Sequence, residues 1–362
     1  MTQPERARPR FVIRRRPEDF VVVEEPLYPA SGSGGHLFVE IEKRGRTTEQ
    51  VVREIARGLG IAPMDVGYAG RKDRHALTRQ WLSLPGIEPE RALALELEDV
   101  RVLQAIRHEH KLKTGQLRGN RFELFVATDA PLDLAPIEAR AAELIRRGMP
   151  NRYGEQRFGR AGDNADAARK LFGGRIARRD LRAARFLVSA LQSEVFNAVL
   201  AEREEGWDEV VVGDLARVEV SGGLFWVDDL ARELPRARAF EISATGPIFG
   251  TKVREPRGEV LALESRVLAR HGIPPASELV LPRGLRALGT RRPLRVAPRD
   301  LSLSAAPDGR GFRLACGLPS GAYVTVLLEC LIGELGGIVD GSREPSAPDD
   351  RSDAGVSSAD VD

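Results

Sequence analysis

Cysteine is nearly absent from this chain: its 362 residues include two, Cys316 and Cys330. That excludes a disulfide framework, and both thiols lie in apolar stretches that suit reduced core positions. Histidine is almost as scarce, with five residues. No CxxC or HExxH spacing occurs. His108 and His110 would share one face of a strand but have no third ligand at a suggestive spacing, so no metal is expected. Apolar runs are short, and none reaches the roughly 20 residues that a membrane span needs. The basic opening "MTQPERARPR" has no apolar stretch of a signal peptide. There is no GxxxxGK[ST] loop, and "SGSGGH" is glycine-rich without opening a helix as GxGxxG. The expectation from these absences is a cytoplasmic, membrane-free protein with no nucleotide or other cofactor.

What is present is an ordinary globular composition, 42% hydrophobic and 30% charged, in a chain long enough for two domains. The net charge of +2 hides an uneven distribution. The end of the chain, "GSREPSAPDDRSDAGVSSADVD" from Gly341, carries Asp349, Asp350, Asp353, Asp360 and Asp362 among few large apolar residues, which predicts a disordered acidic tail. The remainder is therefore clearly basic.

"DFVVVEE" and "HLFVEIEK" read as strands rich in β-branched and aromatic residues. Thr47 or Thr48 caps a helix whose buried stripe is Val51, Val52, Ile55 and Leu59, and Gly60 ends it. "MDVGYAG" and "RQWLSLPG" read as strands on either side of a loop, and two more follow, broken at "KTGQLRGN". This is an α+β pattern with much antiparallel pairing. From about Pro150 the pattern turns helical, with Leu187, Leu191, Val195, Phe196 and Val199 at helical spacing. Short strands, "VVVGDLARVEV" and "GLFWVDD", come next. Sheet-like segments return at "RRPLRVAPRDLSLSAAP" and "GFRLACGLPS" before a final helix in "GAYVTVLLECLIGEL".

Two stretches concentrate cations. Arg101, Arg107, Lys111, Lys113, Arg118 and Arg121 face one acid, Glu109. Arg152, Arg157, Arg160, Arg169, Lys170, Arg175, Arg178, Arg179, Arg182 and Arg185 outnumber the acids among them. Arginine with interleaved rings (Phe122, Tyr153, Phe158) suits a nucleic-acid surface on which unpaired bases stack. Within "GYAGRKDRHALTRQWLSL", Asp73 is flanked by Arg71, Lys72, Arg74, His75 and Arg79. An Asp in a short loop is ordinarily a turn former. Here a cation beside it, Lys72, would keep the carboxylate ionised and able to act as nucleophile or base. No second acid nearby forms a glycosidase-type pair, and no clustered carboxylates suggest a metal-dependent nuclease.

The stretches "GHLFVEIEKRGRTT", "GYAGRKDRHALTRQW", "KTGQLRGNRFEL", "PNRYGEQRFG", "SALQSEVFNAVLAER", "TGPIFG" and "GLPSGAYVTVLLE" resemble the TruD family of tRNA pseudouridine synthases, from Phe11 to Leu335. The pattern AGxKDxxAxTxQ, Ala69 to Gln80, is highly specific to it. The resemblance implies a catalytic domain around a mixed, largely antiparallel sheet, residues 1–148 and 293–340, interrupted by a family-specific insertion at 149–292, with the acidic tail at 341–362. It implies isomerisation of a uridine, uridine 13 in the D-arm of certain tRNAs, with base flipping and no cofactor. Residue by residue, Asp73 becomes the catalytic aspartate and Lys72 its support. Phe122 becomes the ring stacked on the target base, and Asn120 a shaper of that pocket. Arg71, Arg74, Arg118, Gln156, Arg157 and Phe158 become RNA contacts. The partner implied is tRNA, met by a monomer. Arg152 stands where the family often has an aromatic and Val324 where it often has Ala, and neither is expected near Asp73 or Phe122. The competing reading is a non-catalytic RNA-binding or RNA-folding protein of the same fold.

Overall fold

A computed structural model describes residues 8–159, 164–172, 181–203, 206–281 and 284–343. The acidic tail from Glu344, and the cations Arg160, Arg175, Arg178 and Arg179, lie outside the described residues. The chain enters through β1 (Arg10–Ile13), β2 (Phe20–Pro26) and β3 (His36–Arg44). Helix α1 (Thr48–Leu59) follows. Thr47 caps it by accepting from the Gln50 amide, and Gly60 closes it in the left-handed conformation, φ 72°, as its flanking residues predict. Then come β4 (Gly67–Tyr68), β5 (Leu77–Pro85), the short α2 (Pro89–Leu93), β6 (Val100–His108) and β7 (Leu117–Thr128).

These strands form one large mixed sheet with the far end of the chain. After α3 (Ala135–Arg147) and β8 (Met149–Pro150) the chain leaves that sheet. It runs through α4 (Asn164–Phe172), α5 (Leu181–Ala201), β9 (Leu215–Val218), β10 (Leu224–Trp226), α6 (Leu230–Arg238), β11 (Ile242–Ile248), α7 (Gly258–Arg270) and β12 (Thr290–Pro293). Strands β9 to β12 make a separate four-stranded sheet in the order β10-β9-β11-β12. The chain returns through β13 (Arg295–Val296), which pairs with β8. It ends in β14 (Arg299–Ala305), β15 (Gly311–Pro319), α8 (Val324–Ile332) and β16 (Gly337–Asp340). The large sheet has the order β14-β15-β7-β2-β5-β3-β6, with β1, β4 and β16 attached beside it.

The central strand β7 shows how sequence alternation positions the site. Phe122, Leu124 and Val126 are buried while Arg121 and Glu123 are exposed, the period-two pattern of a strand with one covered face. The covered face meets Phe312, Leu314, Cys316 and Leu318 from β15, Ile137 from α3, and Leu327, Leu328 and Leu331 from α8. A second core packs α1 against β3 and β5 through Val51, Ile55, Leu37, Val39, Ile41, Leu82 and Leu84. Both cysteines are free thiols, and burial pushes them up, Cys316 to about 12 and Cys330 to about 11.

Several expectations need correction. The break at "KTGQLRGN" is shorter than its turn residues suggest, because Leu117 to Asn120 already belong to β7. Gly119 sits inside that strand for a reason of space: a Cβ there would lie 2.3 Å from the Leu318 carbonyl oxygen on β15. Gly119→Ala should therefore lower stability by about 1–3 kcal/mol through overpacking, read as a drop in the urea midpoint at unchanged slope. The strand in "MDVGYAG" shrinks to β4, since Pro63–Asp65 winds into a 3-10 turn. Helices α3, α6 and α7 and strand β11 have no counterpart in the sequence reading. No helix among the described residues is long and apolar enough to cross a membrane.

Candidate active site

Asp73 lies in the loop joining β4 to β5, and three elements hold that loop. Its backbone carbonyl accepts a hydrogen bond from Lys43 Nζ of β3 at 2.7 Å. The Lys72 amide donates to Thr48 Oγ1 in the first turn of α1 at 2.9 Å. The Thr48 hydroxyl in turn donates to Gln80 Oε1 of β5 at 2.9 Å. Lys43 is fully buried. Burial brings its ammonium down to about 8, with Asp73 opposing that shift and Lys72 adding to it.

The carboxylate itself is oriented at both oxygens. Oδ1 accepts from the His75 amide at 3.1 Å, the local turn expected of a loop Asp. Oδ2 meets Arg14 Nη2 at 3.1 Å, and the side chain keeps 30% of its surface exposed. That surface faces a cavity of about 180 Å³ lined by Arg14, Phe20, Arg71, Asn120, Phe122 and Tyr323 among others. A cavity of about 150 Å³ admits benzene, so this one has room for a six-membered ring. Phe122 stands edge-on to Phe20, with ring centroids 6.4 Å apart and an interplanar angle of 80°. The amide oxygen of Asn120 is buried and accepts no hydrogen bond.

Of the residues singled out from sequence, Arg71, Lys72, Asp73, Asn120 and Phe122 all line this one cavity. Lys72 differs from expectation in its partner. Its ammonium pairs with Glu24 of β2, both side chains nearly buried, and the cation on the Asp73 carboxylate is Arg14. Arg71 pairs with Glu49 at 2.5 Å while remaining exposed. Arg74 donates to the Gly45 carbonyl at 3.3 Å, and Arg118 is exposed on β7. Neither lines the cavity. Gln156 and Arg157 fall in a 3-10 turn, Glu155–Arg157, followed by Phe158, and neither Arg157 nor Phe158 lines the cavity. Arg157 reaches it indirectly: its guanidinium lies 5.8 Å from the Tyr153 ring, whose centroid is 6.0 Å from that of Tyr323. Val324 lines the same cavity as Asp73 and Phe122, closer to the site than expected. Arg152, by contrast, pairs with Glu329 on α8.

The sequence reading missed Arg14, Glu24, Lys43 and Tyr323. Glu24 is the partner of Lys72 and is not among the residues lining the cavity. Arg14 follows β1 in "VIRRRPED", and nothing in that run tells which arginine turns inward. It does so with φ 54°, a left-handed conformation that costs a non-glycine residue roughly 1–2 kcal/mol. The side chain is only 4% exposed, and its guanidinium carbon lies 3.9 Å from the Phe20 ring centroid. His108, weighed as a metal ligand, instead accepts from the Ser31 amide at 3.1 Å and stacks on Tyr28. Among the described residues no cluster of His, Cys, Asp and Glu is suited to a metal ion.

The arrangement is an accessible carboxylate, a buried guanidinium on one of its oxygens, and an aromatic ring in the same small cavity. A family model described as tRNA pseudouridine synthase D (TruD) matches residues 10–187 and 176–330. The chain belongs to that family. It is an isomerase of tRNA, a pseudouridine synthase. Relatives carry the name tRNA pseudouridine synthase D. The protein of Anaeromyxobacter sp. (strain Fw109-5) is 44% identical, across 88% of this chain and 92% of its own length. That of Geotalea daltonii is 37% identical across 88% and 95%. That of Thermus thermophilus is 41% identical across 87% of each. A crystal structure of a putative tRNA pseudouridine synthase D from Methanosarcina mazei superposes with a TM-score of 0.70 at 20% identity, covering 91% of this synthase and 94% of that chain. The mixed α+β fold with its large sheet and smaller sheets is thus the fold of that structure.

Proposed function

We propose that this synthase isomerises uridine 13 in the D-arm of tRNA, with Asp73 as the catalytic carboxylate. The observation that carries the reading is the partly exposed Asp73 carboxylate sharing one cavity with the Phe122 ring. The reaction breaks the N1–C1′ bond, turns the uracil and joins C1′ to C5, with the C5 proton replaced by one on N1. Nothing is oxidised, reduced or hydrolysed, which suits a site built from a carboxylate, cations and rings. The two routes open to Asp73, attack on C1′ or removal of the C2′ proton, both need an ionised carboxylate in contact with the sugar. Arg14 sets a guanidinium against one oxygen of that carboxylate.

A stacked uridine must leave the helix to enter, at a cost of a few kcal/mol. Phe122 offsets part of that cost by stacking, and the Asn120 amide oxygen is a ready acceptor for the uracil N3–H. Arg71, Arg74, Arg118, Arg157, Gln156 and Phe158 then serve the flanking RNA, with Lys72 holding the Asp73 loop through Glu24. In this reading residues 1–148 and 293–340 form the catalytic domain. The segment 149–292 is the family's insertion, bounding the cleft next to Tyr153, and the enzyme acts as a monomer.

The test is incubation with an unmodified tRNA transcript in the presence of EDTA. Pseudouridine at one D-arm position with no change in RNA mass is the expected product. Intact RNA without pseudouridine, cleaved RNA or loss of activity to EDTA would overturn the proposal. Phe122→Ala should weaken transition-state binding by about 1–3 kcal/mol, read as a lower kcat/KM on that transcript. An unchanged value would mean that another ring carries the base.

A further inference from the structure

We propose that Asp340, on the last strand of the large sheet, is a positioning residue that sets the Arg14 guanidinium and, through it, the Asp73 carboxylate. The inference rests on Asp73 acting as proposed above. Asp340 lies beyond the residues matched by the family model, which end at 330.

One guanidinium serves two carboxylates. Arg14 Nη1 donates to Asp340 Oδ2 at 2.8 Å, while Nη2 meets Asp73 Oδ2 at 3.1 Å. Its Nε is buried and makes no hydrogen bond. The rotation of the planar group about the chain is therefore decided by these two acids and by the Phe20 ring against it. A guanidinium alone with Asp73 would be free to close both arms onto that carboxylate, the bidentate geometry such pairs favour. Asp340 holds one arm back. Asp73 then meets a single arm and keeps an oxygen surface open to the cavity.

Asp340 is itself held. Its Oδ1 accepts from Ser342 Oγ at 2.7 Å and from the Ser342 amide at 3.1 Å. Burial pushes its carboxyl up, but these hydrogen bonds and the Arg14 charge outweigh burial, so it lies below the ordinary carboxylate value. Its place beside Arg14 follows from the backbone, since β16 pairs in parallel with β1 and sets Ile13 opposite Asp340. Gly336 lets the strands come that close. A Cβ there would lie 2.0 Å from the Pro9 carbonyl oxygen.

The test is a double-mutant cycle on uridine conversion, with single-turnover rate, tRNA affinity and melting temperature measured for each protein. Asp340→Asn keeps the size of the side chain and removes its charge. It should lower the single-turnover rate at saturating tRNA by about tenfold or more, with affinity changed less than about threefold. In an Arg14→Met background the same substitution should change the rate by less than about twofold, because coupled residues are not additive. Ser342→Ala, which loosens Asp340 without touching its charge, should give a smaller loss that likewise vanishes in the Arg14→Met background. Equal losses in both backgrounds, or a wild-type rate in Asp340→Asn, would overturn the inference. An inactive wild type, or an active Asp73→Asn, would instead overturn the reading on which it rests.

Discussion

Asp73→Asn should convert no measurable uridine while binding tRNA within about tenfold of wild type, a change below ~1.4 kcal/mol. The asymmetry follows from what the side chain touches. Both oxygens of Asp73 are occupied by groups an amide can partly satisfy, the His75 amide and the Arg14 guanidinium. The loop is held mainly through backbone atoms, by Lys43 and Thr48. The substitution therefore leaves loop and cavity in place and removes only the charge. In the proposed reading affinity rests on cations and rings elsewhere, which the substitution leaves untouched. Single-turnover conversion and a filter-binding isotherm on the same tRNA separate the two effects. A variant that turns over at near-wild-type rate would remove Asp73 from the chemistry.

Arg291→Met should produce the largest loss of stability, about 3–5 kcal/mol near neutral pH, because it strands a buried carboxylate. Arg291 on β12 and Glu264 on α7 are 1% and 5% exposed, with contacts of 2.6 and 2.7 Å. Arg291 also donates to Thr245 on β11 through Nε, at 3.0 Å. Burial pushes the Glu264 carboxyl above its ordinary 4.5, and the Arg291 charge opposes that rise. In the variant burial dominates, with the Asp214 charge adding to it and the Arg203 charge opposing it, so the folded state binds the proton more tightly than the unfolded chain does. Such a group contributes stability that is complete below the unfolded value and is lost as pH rises through the higher folded one. The gap between variant and wild type should thus be smallest in mild acid and widen toward neutral pH. Denaturant midpoints at several pH values check this, and a gap independent of pH would mean that Glu264 keeps its charge by another route.

How far the residues alone lead depends on whether a feature is local. Helix α1 was legible from end to end, because Thr47 and Gly60 act on groups within four positions of themselves. The strands β2, β3 and β5 were legible because β-branched and aromatic residues fill them in the expected runs. The meeting of Asp73 with Phe122 and Asn120 came from motif resemblance, since no local rule brings a loop at 73 to a strand at 122. What stayed hidden is long-range or conformational. Arg14 and Asp340 are 326 positions apart, joined by a parallel pairing of the first and last strands that neither strand's pattern announces. The inward turn of Arg14 needs a positive φ that nothing in "RRRPED" predicts. Lys72 was read with the neighbour next to it in sequence. Its partner is Glu24 on β2, 48 positions away in sequence. Helix α3 was missed although its stripe of Ile137, Ala141 and Leu144 is sound, since Ala and Arg dilute the periodic signal.

The most direct measurement is a crystal structure of the Asp73→Asn protein bound to an unmodified tRNA. The expected result is one D-arm uridine turned out of its helix, its base against the Phe122 ring and its C1′ or C2′ roughly 3–3.5 Å from the side chain at position 73, a reactive approach distance. A uridine still stacked in the tRNA, or one seated in a different cavity with the position-73 side chain facing only protein, would contradict the account.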